Sequence, residues 1–127
     1  DDGDQKMKSR YYPHIDKAKV FGDHYVRDFS EHSRGVAVDV SLLYAKTGKP
    51  VDMGGHHDLL DPSSTTDSTL VTPSQRRNRM ILKTAFEKQG FANYAPEWWH
   101  YRLLNEPEPT LHYYFPVWDG MTSAGRP

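Results

Sequence analysis

Between positions 35 and 43, aliphatic and other residues alternate. Val36, Val38, Val40 and Leu42 fall on one parity; Ala37, Asp39, Ser41 and Leu43 fall on the other. A period of two with β-branched enrichment predicts a strand with one aliphatic face and one face carrying Asp39. Thr47-Gly48-Lys49-Pro50 reads as the turn that follows it. Residues 51–71, rich in Gly, Asp, Ser and Thr, predict a long loop, and loops of that length in a compact domain are often functional. Thr72-Pro73-Ser74-Gln75 then predicts a helix start: Thr as N-cap, Pro at the first helical position and Gln at the capping-box position. The helix should run to about Gln89, with Gly90 just past its end. Ile81, Leu82, Ala85 and Phe86 form its predicted apolar stripe, and Arg76, Arg77 and Arg79 fall mostly on its wet face.

The aromatic-rich runs 98–104 and 110–117 predict two antiparallel strands, joined across Asn105-Glu106-Pro107-Glu108-Pro109. Before position 30 the pattern is weaker. Residues 1–10 read as a frayed polar lead-in, Tyr11-Tyr12-Pro13 as an extended approach, and 14–29 as loop with a short strand near Tyr25-Val26. From Asp119 the composition predicts a loose tail. The sum is an α+β domain, a small antiparallel sheet with a helix packed on one face.

Composition narrows the partners. The 127 residues suit one domain with a single core. At 36% hydrophobic and 26% charged residues the chain reads as soluble and globular. A net charge of -1 gives no broad electrostatic case for nucleic acid or an anionic membrane. No apolar run approaches the ~20 residues of a membrane span. The acidic start Asp1-Asp2-Gly3-Asp4 is unlike a signal peptide, although a mature exported form would have lost one. There is no cysteine, so a metal site must draw on His, Asp and Glu. Cysteine-type zinc fingers are excluded, and both cytoplasm and periplasm remain open.

Two clusters carry candidate chemistry. Ser30-Glu31-His32-Ser33-Arg34-Gly35-Val36-Ala37-Val38-Asp39 places an imidazole and a carboxylate around a glycine at the entry to the predicted strand. Glu97-Trp98-Trp99-His100 supplies a second imidazole and carboxylate. Two His and one Asp leave a fourth zinc position open for water, and the spare Glu can take that water's proton. Each cluster also has a plainer reading. Asp39 could be a buried carboxylate paired with Arg34, and the second cluster an aromatic core strand with a hydrogen-bonded His. For Glu97 and His100 to share one centre, Glu97 must lie in a turn before the strand, because residues three apart on a strand face opposite ways. Pro96 suits such a turn.

Together, the S-x-H-x-x-G-x-A-x-D and E-W-W-H motifs resemble those of the zinc-dependent D-alanyl-D-alanine dipeptidases, the vancomycin-resistance dipeptidase group within the zinc D,D-peptidases. The resemblance runs from Tyr11-Tyr12-Pro13 to about Phe115-Pro116 and takes in Met53-Gly54, Asp58, Gln75-Arg76-Arg77-Asn78-Arg79, Gly90-Phe91 and Glu106-Pro107. It implies a zinc site at the sheet with His32, Asp39 and His100 as ligands and Glu97 as general base. It further implies that Ser30 and Asp58 hold the dipeptide, Asp58 near its ammonium group, that Trp98 and Trp99 shape a cramped pocket, and that Arg34 braces the site. The implied reaction is hydrolysis of D-Ala-D-Ala in bacterial cell-wall precursor turnover or glycopeptide resistance.

Members of that family carry a substantial part before the Tyr-Tyr-Pro segment, including an arginine expected to stabilise the oxyanion. No residue here matches that arginine by motif, so residues 1–127 read as a single catalytic domain lacking that N-terminal portion. A separate N-terminal chain of the same protein, a truncated chain and a shortened homologue would each account for this, the separate chain being the preferred source of the arginine. Two rival readings stand beside the dipeptidase: a D,D-carboxypeptidase or endopeptidase acting on longer peptidoglycan peptides, and a non-catalytic zinc-binding peptide-recognition domain. Among the other histidines, His56 and His57 precede Asp58 in the long loop and could line the site mouth, with a solvated loop pair the preferred reading; His14 and His24 read as surface residues, and His112 as stacked among Tyr113 and Tyr114.

Overall fold

The computed structural model describes residues 6–22, 31–107 and 110–112. The order is α1 (Lys8–Tyr11), α2 (Lys17–Gly22), a 3₁₀ turn (Glu31–Arg34), β1 (Ala37–Asp39), a second 3₁₀ turn (Pro62–Ser64), α3 (Pro73–Glu87), β2 (Phe91–Asn93) and β3 (His100–Leu103). The three strands form one antiparallel sheet in the order β1-β3-β2. This is the predicted α+β class, with departures in its elements.

The helix start holds in detail. The Thr72 side chain accepts from the Gln75 N–H, and the Gln75 side chain accepts from the Thr72 N–H. Gly90 takes φ +84 just beyond the helix end, a left-handed conformation that favours glycine. The buried face differs from the predicted stripe. Arg79 and Leu82 are buried and Phe86 is half-buried, whereas Ile81 is 59% exposed. Arg79 is therefore on the inner face, not the wet one. Its Nε donates to the Met53 carbonyl at 2.7 Å, and its Nη1 donates to the carbonyls of Ser63 at 2.7 Å and Thr65 at 2.8 Å. Gln75 and Asn78 add donors to the Asp52 carboxylate and carbonyl. The helix thus turns a polar row toward the long loop, and hydrophobic periodicity could not register it.

The predicted strand over 35–43 shortens to β1. Beyond it the Val40 N–H bonds the Trp99 carbonyl, and Leu43 bridges Pro50 around a turn in which Gly48 has φ +65. The strand expected from 98 starts at His100, because residues 94–99 form a turn: the Glu97 N–H bonds the Tyr94 carbonyl, and the His100 N–H bonds the Glu97 carbonyl. The pattern does not predict β2, which is three residues just after a helix end. Of the strand expected over 110–117, residues 113–117 lie outside the described residues and 110–112 carry no strand. The N-terminal expectations are corrected too, since α1 and α2 replace a frayed lead-in and a loop. Tyr25, Val26 and the tail from Asp119 lie outside the described residues.

In an antiparallel ladder, directly paired residues share a face and successive residues alternate. The pairs Val38–Tyr101 and Asn93–Tyr101 therefore face one way, and Asp39–His100 faces the other. Tyr101 packs against Phe86 of α3 with ring centroids 4.6 Å apart. The helix covers that side, over a core of Met53, Leu82, Trp98, Trp99 and Tyr101. The opposite side is left to Asp39 and His100.

Candidate metal centre

Three elements deliver three ligand-type side chains to one point. His32 comes from the first 3₁₀ turn, Asp39 from the end of β1 and His100 from the start of β3. One donor atom from each lies within 4.8 Å of the others. His100 Nδ1 is 3.0 Å from Asp39 Oδ1, and His32 Nε2 is 3.5 Å from the same oxygen. The two imidazoles meet edge to face with centroids 4.8 Å apart. His32 Nδ1 lies 3.1 Å from the Ala37 carbonyl and can donate to it, while Nε2 is the ring nitrogen turned toward Asp39. Such an outer hydrogen bond is what a metal-ligating histidine ordinarily carries.

The electrostatics follow from the packing. Burial pulls the Asp39 carboxyl upward, but the His100 hydrogen bond, the neighbouring His32 charge and the His57 hydrogen bond outweigh it and hold it below the ordinary range. His100 is raised, first by its hydrogen bond to Asp39. Glu97 is pushed up to about 7, chiefly by burial, with the negative charges of Asp39 and Asp58 adding to it and His100 opposing. Glu97 sits in the turn before β3, as sharing a centre with His100 requires. Asn93 holds that turn by donating to the carbonyls of Glu97 at 3.2 Å and His100 at 3.1 Å.

A set of two imidazoles and one carboxylate, with no thiolate, fits zinc. Its outer residues are charged. Glu31 Oε2 is 3.7 Å from His100 Nε2. Arg34 pairs with Glu31 at 3.5 Å and with Glu106 at 2.8 Å, and Arg102 reaches Glu31 at 3.6 Å. Arg34 thus stands behind the cluster, paired with Glu31 and Glu106, with Asp39 not among these partners. Trp98 and Trp99 are 2% and 1% exposed and belong to the core beneath the cluster. Ser30 lies outside the described residues.

His57 is exposed, yet it takes the site-mouth position rather than that of a merely solvated loop residue. Its Nε2 is 3.2 Å from Asp39 Oδ2, its Nδ1 is 3.2 Å from Asp58 Oδ2, and its ring meets Trp99 edge-on. Asp58 has φ +62, uncommon for a residue with a side chain. His14 is at the surface as expected and pairs there with Asp61, whereas the exposed His56 bonds the Arg10 carbonyl at 2.7 Å; His24 lies outside the described residues. His112 Nδ1 lies 3.2 Å from Ser33 Oγ, while Tyr113 and Tyr114 are outside the described residues. The place of His57 before Asp58 in the long loop is the local signal; which of the two loop histidines meets Asp39 is decided by the docking of the loop.

Comparison with known proteins identifies the family. The Peptidase_M15 family, described as D-ala-D-ala dipeptidase, matches residues 3–118. The chain belongs to this family. It is 44% identical over 114 residues to a D-alanyl-D-alanine dipeptidase of Streptomyces coelicolor, covering 90% of this chain and 56% of the relative. It is 37% identical over 114 residues to one of Enterococcus faecalis, with the same coverage. To one of Enterococcus faecium it is 39% identical over 110 residues, 87% of this chain and 54% of the relative. The chain thus spans a little over half the length of these curated relatives. Among the described residues, no helix is long and apolar enough to cross a membrane.

Proposed function

We propose that the protein is a bacterial zinc dipeptidase that hydrolyses D-Ala-D-Ala to two D-Ala. The observation that carries this reading is the convergence of His32, Asp39 and His100 beside a carboxylate, Glu97, whose pKa is pushed up to about 7. The printed names of the relatives supply the substrate. A role in cell-wall precursor turnover or glycopeptide resistance goes with that substrate.

His32 Nε2, His100 and Asp39 would hold the metal. When bound, zinc supplies Lewis-acid polarisation of the scissile carbonyl and acidifies a water toward a pKa of ~7. Glu97 accepts the proton of the attacking water on its carboxylate and returns it to the departing amine. A carboxyl titrating near neutrality is suited to both transfers. Asp58, exposed at the rim, would take the substrate ammonium, and Ser30 would act with it in binding the dipeptide. Trp98 and Trp99 would limit the pocket from below, so that small side chains and two free termini are selected. The expected oxyanion arginine would come from outside the motifs present here. The relatives carry the matched region within one longer chain, which leaves a separate partner chain without support.

The test uses the complete protein with zinc, offered D-Ala-D-Ala and, separately, a blocked pentapeptide ending in D-Ala-D-Ala, with free D-Ala followed. Release from the dipeptide alone supports this reading. Release from the pentapeptide alone turns the assignment to a carboxypeptidase, and zinc binding without any release turns it to a recognition domain. Replacing Glu97 by Ala should lower kcat by more than ~10²-fold with zinc still bound.

A further inference from the structure

We propose that His57 is a positioning residue that ties the metal-ligating carboxylate of Asp39 to the substrate-binding carboxylate of Asp58. The inference rests on the site reading above and assigns a part to a residue that reading leaves idle.

The geometry divides Asp39 between two tasks. Its Oδ1 faces His100 Nδ1 at 3.0 Å and His32 Nε2 at 3.5 Å, on the metal side. Its Oδ2 faces His57 Nε2 at 3.2 Å. A ligating carboxylate whose second oxygen accepts a hydrogen bond is fixed in orientation, and such outer partners commonly govern metal affinity. The other nitrogen of the same ring lies 3.2 Å from Asp58 Oδ2. Both ring nitrogens therefore face carboxylates, one belonging to the metal centre and one to the substrate rim.

The ring is also held from behind. Its centroid is 5.5 Å from that of Trp99, which is 1% exposed and anchored in the core. The loop on either side is pinned by Arg79, through the carbonyl of Met53 before it and those of Ser63 and Thr65 after it. Asp58 is presented from a left-handed backbone at φ +62, which turns it back beside the His57 ring. A displacement of the loop would therefore move Asp58 and release Asp39 Oδ2 together. His57 makes substrate capture and metal retention depend on one side chain.

The test compares His57→Phe and His57→Gln with the parent in the complete protein. Phe keeps a ring against Trp99 but has no donor; Gln can serve one carboxylate. Zinc affinity, measured by competition with a chromogenic chelator, should fall 10- to 100-fold in H57F and by less in H57Q. The visible absorption of the cobalt-substituted protein should change shape in both variants. On D-Ala-D-Ala the KM of H57F should rise, whereas Asp58→Asn should raise KM with zinc affinity unchanged. Zinc affinity in H57F within twofold of the parent, with an unaltered cobalt spectrum, would overturn the inference while leaving the metal site standing. If H57F does not fold, an unaltered cobalt spectrum in H57Q overturns it equally. A parent protein that binds no zinc overturns the site reading itself, and the inference with it.

Discussion

Asp61 shows how one buried carboxylate can set acid sensitivity well away from the metal. It is 8% exposed, caps the second 3₁₀ turn through the Ser63 N–H at 2.8 Å and pairs with His14. Burial raises its pKa, but the Ser63 and His14 contacts win and leave it below 3.8. The ionised form therefore favours the fold. That stabilisation is fully present above the ordinary Asp value and is lost as pH falls through the lowered one. Asp61→Asn, which can still cap, should lose less stability than the parent between pH 5 and pH 3 in urea titrations. Parallel losses would remove Asp61 from the account. Asp61→Ala at pH 7 should cost about 1 kcal/mol through the lost cap. At this scale the sequence was most legible where chemistry is local. Residue type and motif single out His32, Asp39, Glu97 and His100, and the structure brings His32, Asp39 and His100 together. For His57 the sequence allows a site-mouth position but favours a solvated one, because its contact with Asp39 is made by loop docking, which leaves no trace in spacing.

At the level of elements, α3 is a helix whose ends were plain and whose face was not. Thr72, Pro73 and Gln75 declare the start by short-range hydrogen bonding, so the boundary could be read directly. The inward face could not, because its central position is Arg79, placed there to satisfy three loop carbonyls. Arg79→Met should destabilise the protein by on the order of 3 kcal/mol or more in urea, since it leaves those buried acceptors unpaired. Arg79→Lys should fall between, retaining the charge without the planar fork. If R79M unfolds at the parent's midpoint, the pinning role is wrong. Thr72→Ala should cost a separate ~1 kcal/mol, read from the same titration, because it removes only the cap. β2 escaped notice for a related reason. Phe91-Ala92-Asn93 is too short for a periodic signal and is a strand only because β3 lies beside it.

For the whole molecule, the proposed metal site would link metal binding to folding. Its three proposed ligands come from separate elements, brought together only in the folded chain. Zinc should bind the folded form and raise its stability by about 2.7 kcal/mol at a hundredfold excess over Kd. A chelator should therefore lower the Tm of the parent and leave His100→Ala unmoved. Equal chelator sensitivity in the two proteins would mean that the metal sits elsewhere. The α+β class was legible because one strong helix and one alternating strand suffice to define it. The topology was not, since β1-β3-β2 is fixed by long-range pairing.

That pairing has one more consequence. Asp39 and His100 are direct cross-strand partners. Slipping β1 by one residue against β3 would set Asp39 opposite Trp99 or Tyr101 and turn its carboxylate to the wrong side of the sheet. Only the correct alignment brings the proposed ligands together. Zinc capture by the proposed site would then act as a proofreading step, and zinc retention during refolding should report strand alignment before any catalysis is measured.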